Sequence, residues 1–190
     1  SPGVYFTLEE DANTGRKLGY AKLIPYRGAW IEMETSTRDF VAVKVDRKRK
    51  ASVATLIRPL GHPTPEEIIK IFADVDSDPD HQFIKTTLER EGIDTERAEN
   101  LSEDALRRQW DKWCSGRAFN KEASRMLAGA QLEFYRRMRP GEPPNLDNAD
   151  ALLRSLFFDP RRYDLGRVGR YKLNRSLNSD TPMTHRTLTV

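Results

Sequence analysis

The residue types that most often do chemistry are sparse in this chain. Its three histidines, His62, His81 and His185, fall in unrelated segments. None stands at the spacing of a metal-ligand pair or a catalytic triad, so each reads as a surface residue. Cys114 is the single cysteine, set between Trp113 and Ser115 at an expected helix end, and it reads as structural. One cysteine excludes an intramolecular disulfide and a thiolate metal cluster. Asp74, Asp76, Asp78 and Asp80 alternate like the ligands of a calcium loop. Such a loop needs glycine at its sixth position and glutamate at its twelfth, where this chain has Pro79 and Lys85. The segment Gly166-Arg167-Val168-Gly169-Arg170 has two glycines but lacks the third glycine and the strand-then-helix setting of a dinucleotide loop, and there is no P-loop. No catalytic residue and no metal site are expected.

The chemistry the sequence does offer is carried by arginines on turns. Arg136, Arg137 and Arg139 crowd the end of an expected helix, just before the proline-stiffened turn Pro140-Gly141-Glu142-Pro143-Pro144. Arg161 and Arg162 follow Pro160 in a second turn, and Arg27 lies in a third, three residues before Trp30. Arginines and an aromatic held on short rigid turns suit a nucleic-acid backbone and an unstacked base. From its residue type alone Trp30 reads somewhat more readily as a core residue at the start of a strand, because tryptophan is usually well buried.

The elements that must position these residues follow from composition and periodicity. The 190 residues are 37% hydrophobic and 32% charged, enough for one sizeable core or two small ones. No apolar run approaches the roughly 20 residues needed to cross a bilayer, so no membrane partner is expected. The opening Ser1-Pro2-Gly3-Val4 has neither an initiator methionine nor a signal pattern and reads as a cut into a longer chain. The single cysteine points to a reducing compartment. The net charge is only +3, but it is unevenly spread: residues 16–58 sum to +7, 61–135 to −6 and 136–190 to +5. Two basic flanks therefore enclose an acidic middle, and a polyanion would meet the flanks.

The periodicity predicts an α+β fold. Strands are expected at Leu18–Pro25, Trp30–Glu34 and Phe40–Val45, joined by tight turns into a short antiparallel meander. Asp46-Arg47-Lys48-Arg49-Lys50 then projects four positive charges from a strand end. From Ser52 the period becomes helical through Val53, Leu56, Ile57 and Leu60, with Gly61 placed to stop it. The middle is a helical insertion. Thr64-Pro65-Glu66-Glu67 is a capping box. A short helix through Phe83 and Leu88 is expected to end at Gly92, and Ser102, Asn120 and Asp147 are expected to cap three more. Asp164 starts the last, Leu165–Leu177. Residues 16–58 and 136–177 are expected to pack together, with 62–130 as an excursion.

Several blocks resemble the β subunit of bacterial DNA-directed RNA polymerase, in the order that family shows. They are Ser1-Pro2-Gly3-Val4-Tyr5-Phe6, Ile24-Pro25-Tyr26-Arg27-Gly28-Ala29-Trp30, Val45-Asp46-Arg47-Lys48-Arg49-Lys50 and Leu56-Ile57-Arg58-Pro59-Leu60-Gly61. After the middle come Tyr135–Pro144, Phe157–Leu165 and Val168–Asn174. The resemblance covers about 1–60 and 130–177, while roughly 74–130 departs from it.

The resemblance implies a lobe region over 1–177, with 62–130 its variable helical part, and a tail at 178–190 leading toward the next region and packing poorly in a cut chain. The family enzyme is a nucleotidyltransferase that copies DNA into RNA. Its catalytic magnesium sits on the partner β′ subunit, so no cofactor is implied in this chain. The lobe forms one wall of the DNA cleft, near the downstream duplex and the non-template strand, in an assembly with other polymerase subunits and sigma factor, in the cytoplasm at the nucleoid. By motif, Trp30 faces a non-template base close to the downstream edge of the bubble; Arg27, on the preceding turn, is expected to contact a nearby phosphate. Arg139 and Glu142 lie near the non-template strand by the promoter discriminator, with Arg162 in a similar place. The alternative is a protein-interaction module, whose acidic middle docks another subunit or a transcription factor.

Overall fold

The computed structural model of the chain describes residues 1–91 and 96–190. The expected end of a helix at Gly92 lies outside the described residues. Among the described residues five strands, β1 (Gly3–Glu10), β2 (Lys17–Ile24), β3 (Ile31–Thr35), β4 (Val41–Val45) and β5 (Ala51–Ser52), form one sheet in chain order. The β1–β2 ladder is antiparallel from Gly3 opposite Ile24 to Glu10 opposite Lys17, and β2–β3 is antiparallel from Tyr20 opposite Glu34 to Leu23 opposite Ile31. The α+β class and the meander stand as expected.

The sheet also contains two strands that the periodicity did not mark. β1 leaves Phe6 67% and Leu8 58% exposed, so no buried face announces it; only the full ladder to β2 defines it. Asp11 turns the chain between them, its Oδ2 accepting from the Thr14 N–H and Oγ1–H, both at 2.9 Å. β5 is two residues long, below the reach of any period.

Among the described residues seven helices follow: α1 (Val53–Ile57), α2 (Pro65–Phe72), α3 (Phe83–Arg90), α4 (Glu103–Trp113), α5 (Lys121–Met138), α6 (Leu146–Phe157) and α7 (Gly166–Leu177). α1 runs into a 3-10 turn, Arg58–Leu60, that stops at Gly61 with φ 110°. A Cβ there would lie 2.3 Å from the Trp113 carbonyl oxygen, so only glycine fits. Ser52, Thr64, Ser102 and Asn120 cap their helices through side-chain oxygens. The cap of α6 is Asn145, whose Oδ1 accepts from the Asn148 N–H at 2.8 Å, and Asp147 sits inside the first turn instead. Asp164 accepts from the Gly166 N–H at 2.7 Å, and α7 begins at that glycine, one residue later than expected.

The chain divides into two compact units. The first holds Ser1–Arg38, Ala42–Ala51 and Leu152–Val190; the second holds Asp39–Val41 and Ser52–Ala151. Residues 52–58 and 136–151, expected to pack with the strands, belong to the helical unit. The reason is α5, which carries Arg136–Met138 as its unbroken last turn and donates from Gln131 Nε2 to the Pro59 carbonyl at 3.1 Å.

In the helical unit, Val53, Ala54, Ile68 and Ile84 form one apolar cluster and Trp110, Cys114, Ala123 and Leu127 another. Each fully buried Leu or Ile contributes about 1.5–3 kcal/mol. Burial pushes the Cys114 thiol up to about 11, against a smaller opposing effect of the Arg117 charge. In the strand unit, Phe157, Tyr163 and Leu165 are fully buried, the two rings meeting edge to face at 5.9 Å. No residue of the 178–190 tail is buried, as expected of a poorly packed tail, but hydrogen bonds tether it. Arg170, 5% exposed, donates from Nε to the His185 carbonyl at 2.6 Å and from Nη2 to the Thr187 carbonyl at 2.8 Å. The Leu188 N–H donates to Phe157 and the Leu165 N–H to Arg186. A buried guanidinium needs these acceptors, and the tail supplies them.

Candidate nucleic-acid interface

Within the strand unit, the turn bearing Arg27 is fixed to the turn bearing Arg162. Arg27 and Asp164 exchange both backbone hydrogen bonds, at 3.0 and 2.9 Å, and Arg27 Nη2 donates to the Pro160 carbonyl at 2.9 Å. Gly28 makes this closeness possible. Its φ is +118°, and a Cβ there would lie 2.8 Å from Tyr163 Cδ2 and 3.0 Å from the Arg162 carbonyl oxygen. The paired turns keep Arg27, Arg161 and Arg162 exposed at the surface.

The two neighbouring arginines differ. Arg161 is clamped on Asp159, with Nε 3.2 Å from Oδ1 and Nη2 3.1 Å from Oδ2. Hydrogen bonds from Arg161 hold the Asp159 carboxyl below the ordinary range. The Arg162 side chain is not drawn into that clamp, and an open concavity lies against the pair.

Trp30 is half-buried, neither the filled-core residue nor a fully bare indole. Its carbonyl accepts from the Asp46 N–H at 2.9 Å, and the Arg47 guanidinium stands 4.4 Å from the ring centroid. Arg47 gets there through a type I′ turn: Lys48 N–H donates to the Val45 carbonyl at 3.0 Å, with φ 53° at Asp46 and 60° at Arg47. A left-handed arginine costs about 1–2 kcal/mol, and a cation over an indole returns about 0.5–1 kcal/mol at an exposed site. Arg47 was not singled out from the sequence. The run of four positive charges at a strand end was its only signal there.

Arg139 and Glu142 belong to the helical unit. Arg139 closes α5, its N–H donating to the Tyr135 carbonyl at 2.8 Å and its Nη1 to the Met138 carbonyl at 3.1 Å, and it remains exposed. Glu142 accepts from the Tyr135 hydroxyl at 2.5 Å, which raises the tyrosine pKa, and its N–H donates to the Arg139 carbonyl at 3.3 Å. This turn is a closed, rigid loop with one exposed cation. Arg136 and Arg137, by contrast, are both paired with Glu133. Among the described residues, no group of three or more His, Cys, Asp or Glu is placed to hold a metal ion, and no helix is long and apolar enough to cross a membrane.

The class of domain is shown by its family: the family described as RNA polymerase Rpb2, domain 2, matches residues 1–190, and the chain belongs to that family. Its relatives are bacterial β subunits. It is 41% identical over 177 residues to the DNA-directed RNA polymerase subunit beta of Dehalococcoides mccartyi, covering 93% of this chain. It is 41% identical over 197 aligned residues to that of Chloroflexus aggregans, again covering 93% of this chain. To that of Streptomyces coelicolor it is 39% identical over 190 residues, covering all of this chain. The chain spans 12–14% of the length of these three relatives.

Proposed function

We propose that the chain is a DNA-contacting lobe of the β subunit of a bacterial DNA-directed RNA polymerase. It forms one wall of the cleft beside the downstream duplex and the non-template strand. The observation that carries this reading is the strand-unit surface: a half-buried Trp30 backed by Arg47, with Arg27 and Arg162 on interlocked turns. Arg47 lies over the Trp30 ring, so a base would stack on indole surface that Arg47 leaves open. Arg27 and Arg162 would neutralise phosphates. In the helical unit, Arg139 would meet a further stretch of backbone, and Glu142 would hold its turn through Tyr135.

Nucleotide transfer belongs to the assembled enzyme, in the cytoplasm, with magnesium held by the β′ subunit and with sigma factor and other subunits as partners. This chain supplies positioning and charge.

A second reading, docking of another protein on the helical unit, is favoured by one observation. Ile69, Ile71 and Val75 are 42%, 49% and 80% exposed on and just after α2. The two readings separate in a salt titration of single-stranded DNA binding by fluorescence anisotropy. Phosphate contact gives a log–log slope of about −0.7 per phosphate neutralised. We expect a slope near −2 to −3 for wild type, made shallower by roughly 1.4 in Arg27→Ala/Arg162→Ala. A flat slope, or one the double variant leaves unchanged, would remove the DNA reading for this surface.

A further inference from the structure

The helical unit contains a cleft of about 360 Å³ that the DNA reading does not use. It lies between α1 with its 3-10 turn and α5 from Met126 to Arg137, and Arg58, Arg97, Arg136, Arg137, Glu91 and Glu133 supply its charges. Two features set it apart from an ordinary solvated groove.

The first is Arg58. It is 5% exposed, and its Nε and Nη2 have no hydrogen-bond acceptor. Those two nitrogens form the parallel-donor edge of a guanidinium, the edge that takes an oxyanion bidentately. Glu91 forms an ion pair with this edge, Oε2 standing 3.6 Å from Nη2, but gives it no hydrogen bond. Glu91 is also occupied elsewhere, accepting from Ser52 Oγ at 2.5 Å and Thr55 Oγ1 at 2.8 Å. A buried cation with an unmatched donor edge is costly, and burial of this kind is normally compensated by an acceptor.

The second is Glu133. Three arginines converge on this one carboxylate: Arg136 Nη2 at 2.7 Å, Arg137 Nε at 3.2 Å and Arg97 Nε at 3.3 Å. Burial pushes the Glu133 carboxyl up, but the hydrogen bond and charge of Arg136, with Arg137 and Arg97, outweigh it and hold the carboxyl below the ordinary range. Four guanidinium groups against two carboxylates leave two positive charges in excess in a space of small-ligand size.

We propose that this cleft binds a small phosphate-bearing anion, seated on the donor edge of Arg58 and closed over by Arg137. Phosphate is favoured over carboxylate because it carries more than one negative charge, so it can engage Arg58 and also compete with Glu133 for Arg137. The cleft is too small and its floor too buried for a DNA duplex.

The test is isothermal titration calorimetry of the purified chain with pyrophosphate, with circular dichroism as a folding control. We expect saturable one-site binding. Arg58→Met, which keeps the buried volume, is expected to lower affinity at least tenfold. Arg137→Gln, an exposed rim change, is expected to lower it several-fold. Glu133→Gln is expected to tighten binding by removing the competing carboxylate, and Lys121→Gln, outside the cleft, to leave it unchanged. Should Arg58→Met lose its helical signal, Arg137→Gln and Glu133→Gln decide. Absence of saturable heat up to about 1 mM pyrophosphate would overturn the proposal. So would equal affinity in wild type, Arg137→Gln and Glu133→Gln. Displacement of bound pyrophosphate by a DNA duplex would overturn the small-anion assignment in favour of a backbone phosphate.

Discussion

Gly28→Ala separates the positioning of the interface from its charge, because it removes no cation. Two costs arise. The backbone sits at φ +118°, a region that L side chains rarely adopt, which costs about 1–3 kcal/mol. The new methyl carbon would also lie 2.8 Å from Tyr163 Cδ2 and 3.0 Å from the Arg162 carbonyl oxygen. Neither neighbour can retreat easily, since Tyr163 is fully buried and the other atom is backbone. Overpacking of this kind costs a further 1–3 kcal/mol or so. A loss near 3 kcal/mol is expected, lowering Tm by roughly 6–12 °C in thermal unfolding followed by circular dichroism. Gly15→Ala is the control: its φ is +71° with nothing within 4 Å, so only a backbone cost of about 1 kcal/mol applies. The paired turns should also separate, so single-stranded DNA affinity should fall in Gly28→Ala although every arginine remains. A Tm within about 2 °C of the Gly15→Ala control would refute the claim that Gly28 locks Arg27 to Arg162.

Further outcomes follow from buried polar groups. Tyr163 is fully buried and its hydroxyl has no hydrogen-bond partner, so Tyr163→Phe should leave stability unchanged or raise it by up to about 1 kcal/mol. A clear drop in its melting temperature would show that the hydroxyl is needed. The Glu133 carboxyl is held below its ordinary range, so its contribution is fully present above the unfolded carboxylate pKa and lost as pH falls through the folded one. The Tm difference between wild type and Glu133→Gln should therefore be large at neutral pH and shrink only as pH falls below the unfolded carboxylate value of about 4.3. Cys114 is 2% exposed with its thiol pushed up to about 11, so iodoacetamide at mild alkaline pH should label it only after unfolding in urea.

Much of this molecule was legible in the sequence wherever a local rule fixed the outcome. Thr64, Ser102 and Asn120 cap helices because a short side-chain oxygen before an apolar period has one good use. Gly61 and Pro140 stop helices for reasons of backbone geometry alone. What escaped was non-local. β1 is an edge strand whose exposed Phe6 and Leu8 carry no inside–outside alternation, and only β2 defines it. The tail is tethered by Arg170, whose acceptors lie 15 and 17 residues away. Arg58 read as part of a family block, yet its buried, unmatched donor edge is a property of packing. Arg47 reaches Trp30 only because two consecutive residues adopt positive φ, which neither Asp46 nor Arg47 announces as a glycine would.

The role of Trp30 is tested most directly in an assembled polymerase carrying this chain. A fluorescent base analogue is placed on the non-template strand at the downstream edge of the bubble in an open promoter complex, and wild type is compared with Trp30→Ala. A base that leaves the duplex and stacks on indole regains roughly 1–3 kcal/mol, and stacking quenches the analogue. The lobe reading expects the quenched signal in wild type to rise in Trp30→Ala, with the melting temperature of the purified chain nearly unchanged. An unchanged fluorescence together with a large fall in melting temperature would contradict it, and would make Trp30 a packing residue whose partner is Arg47 rather than a DNA base.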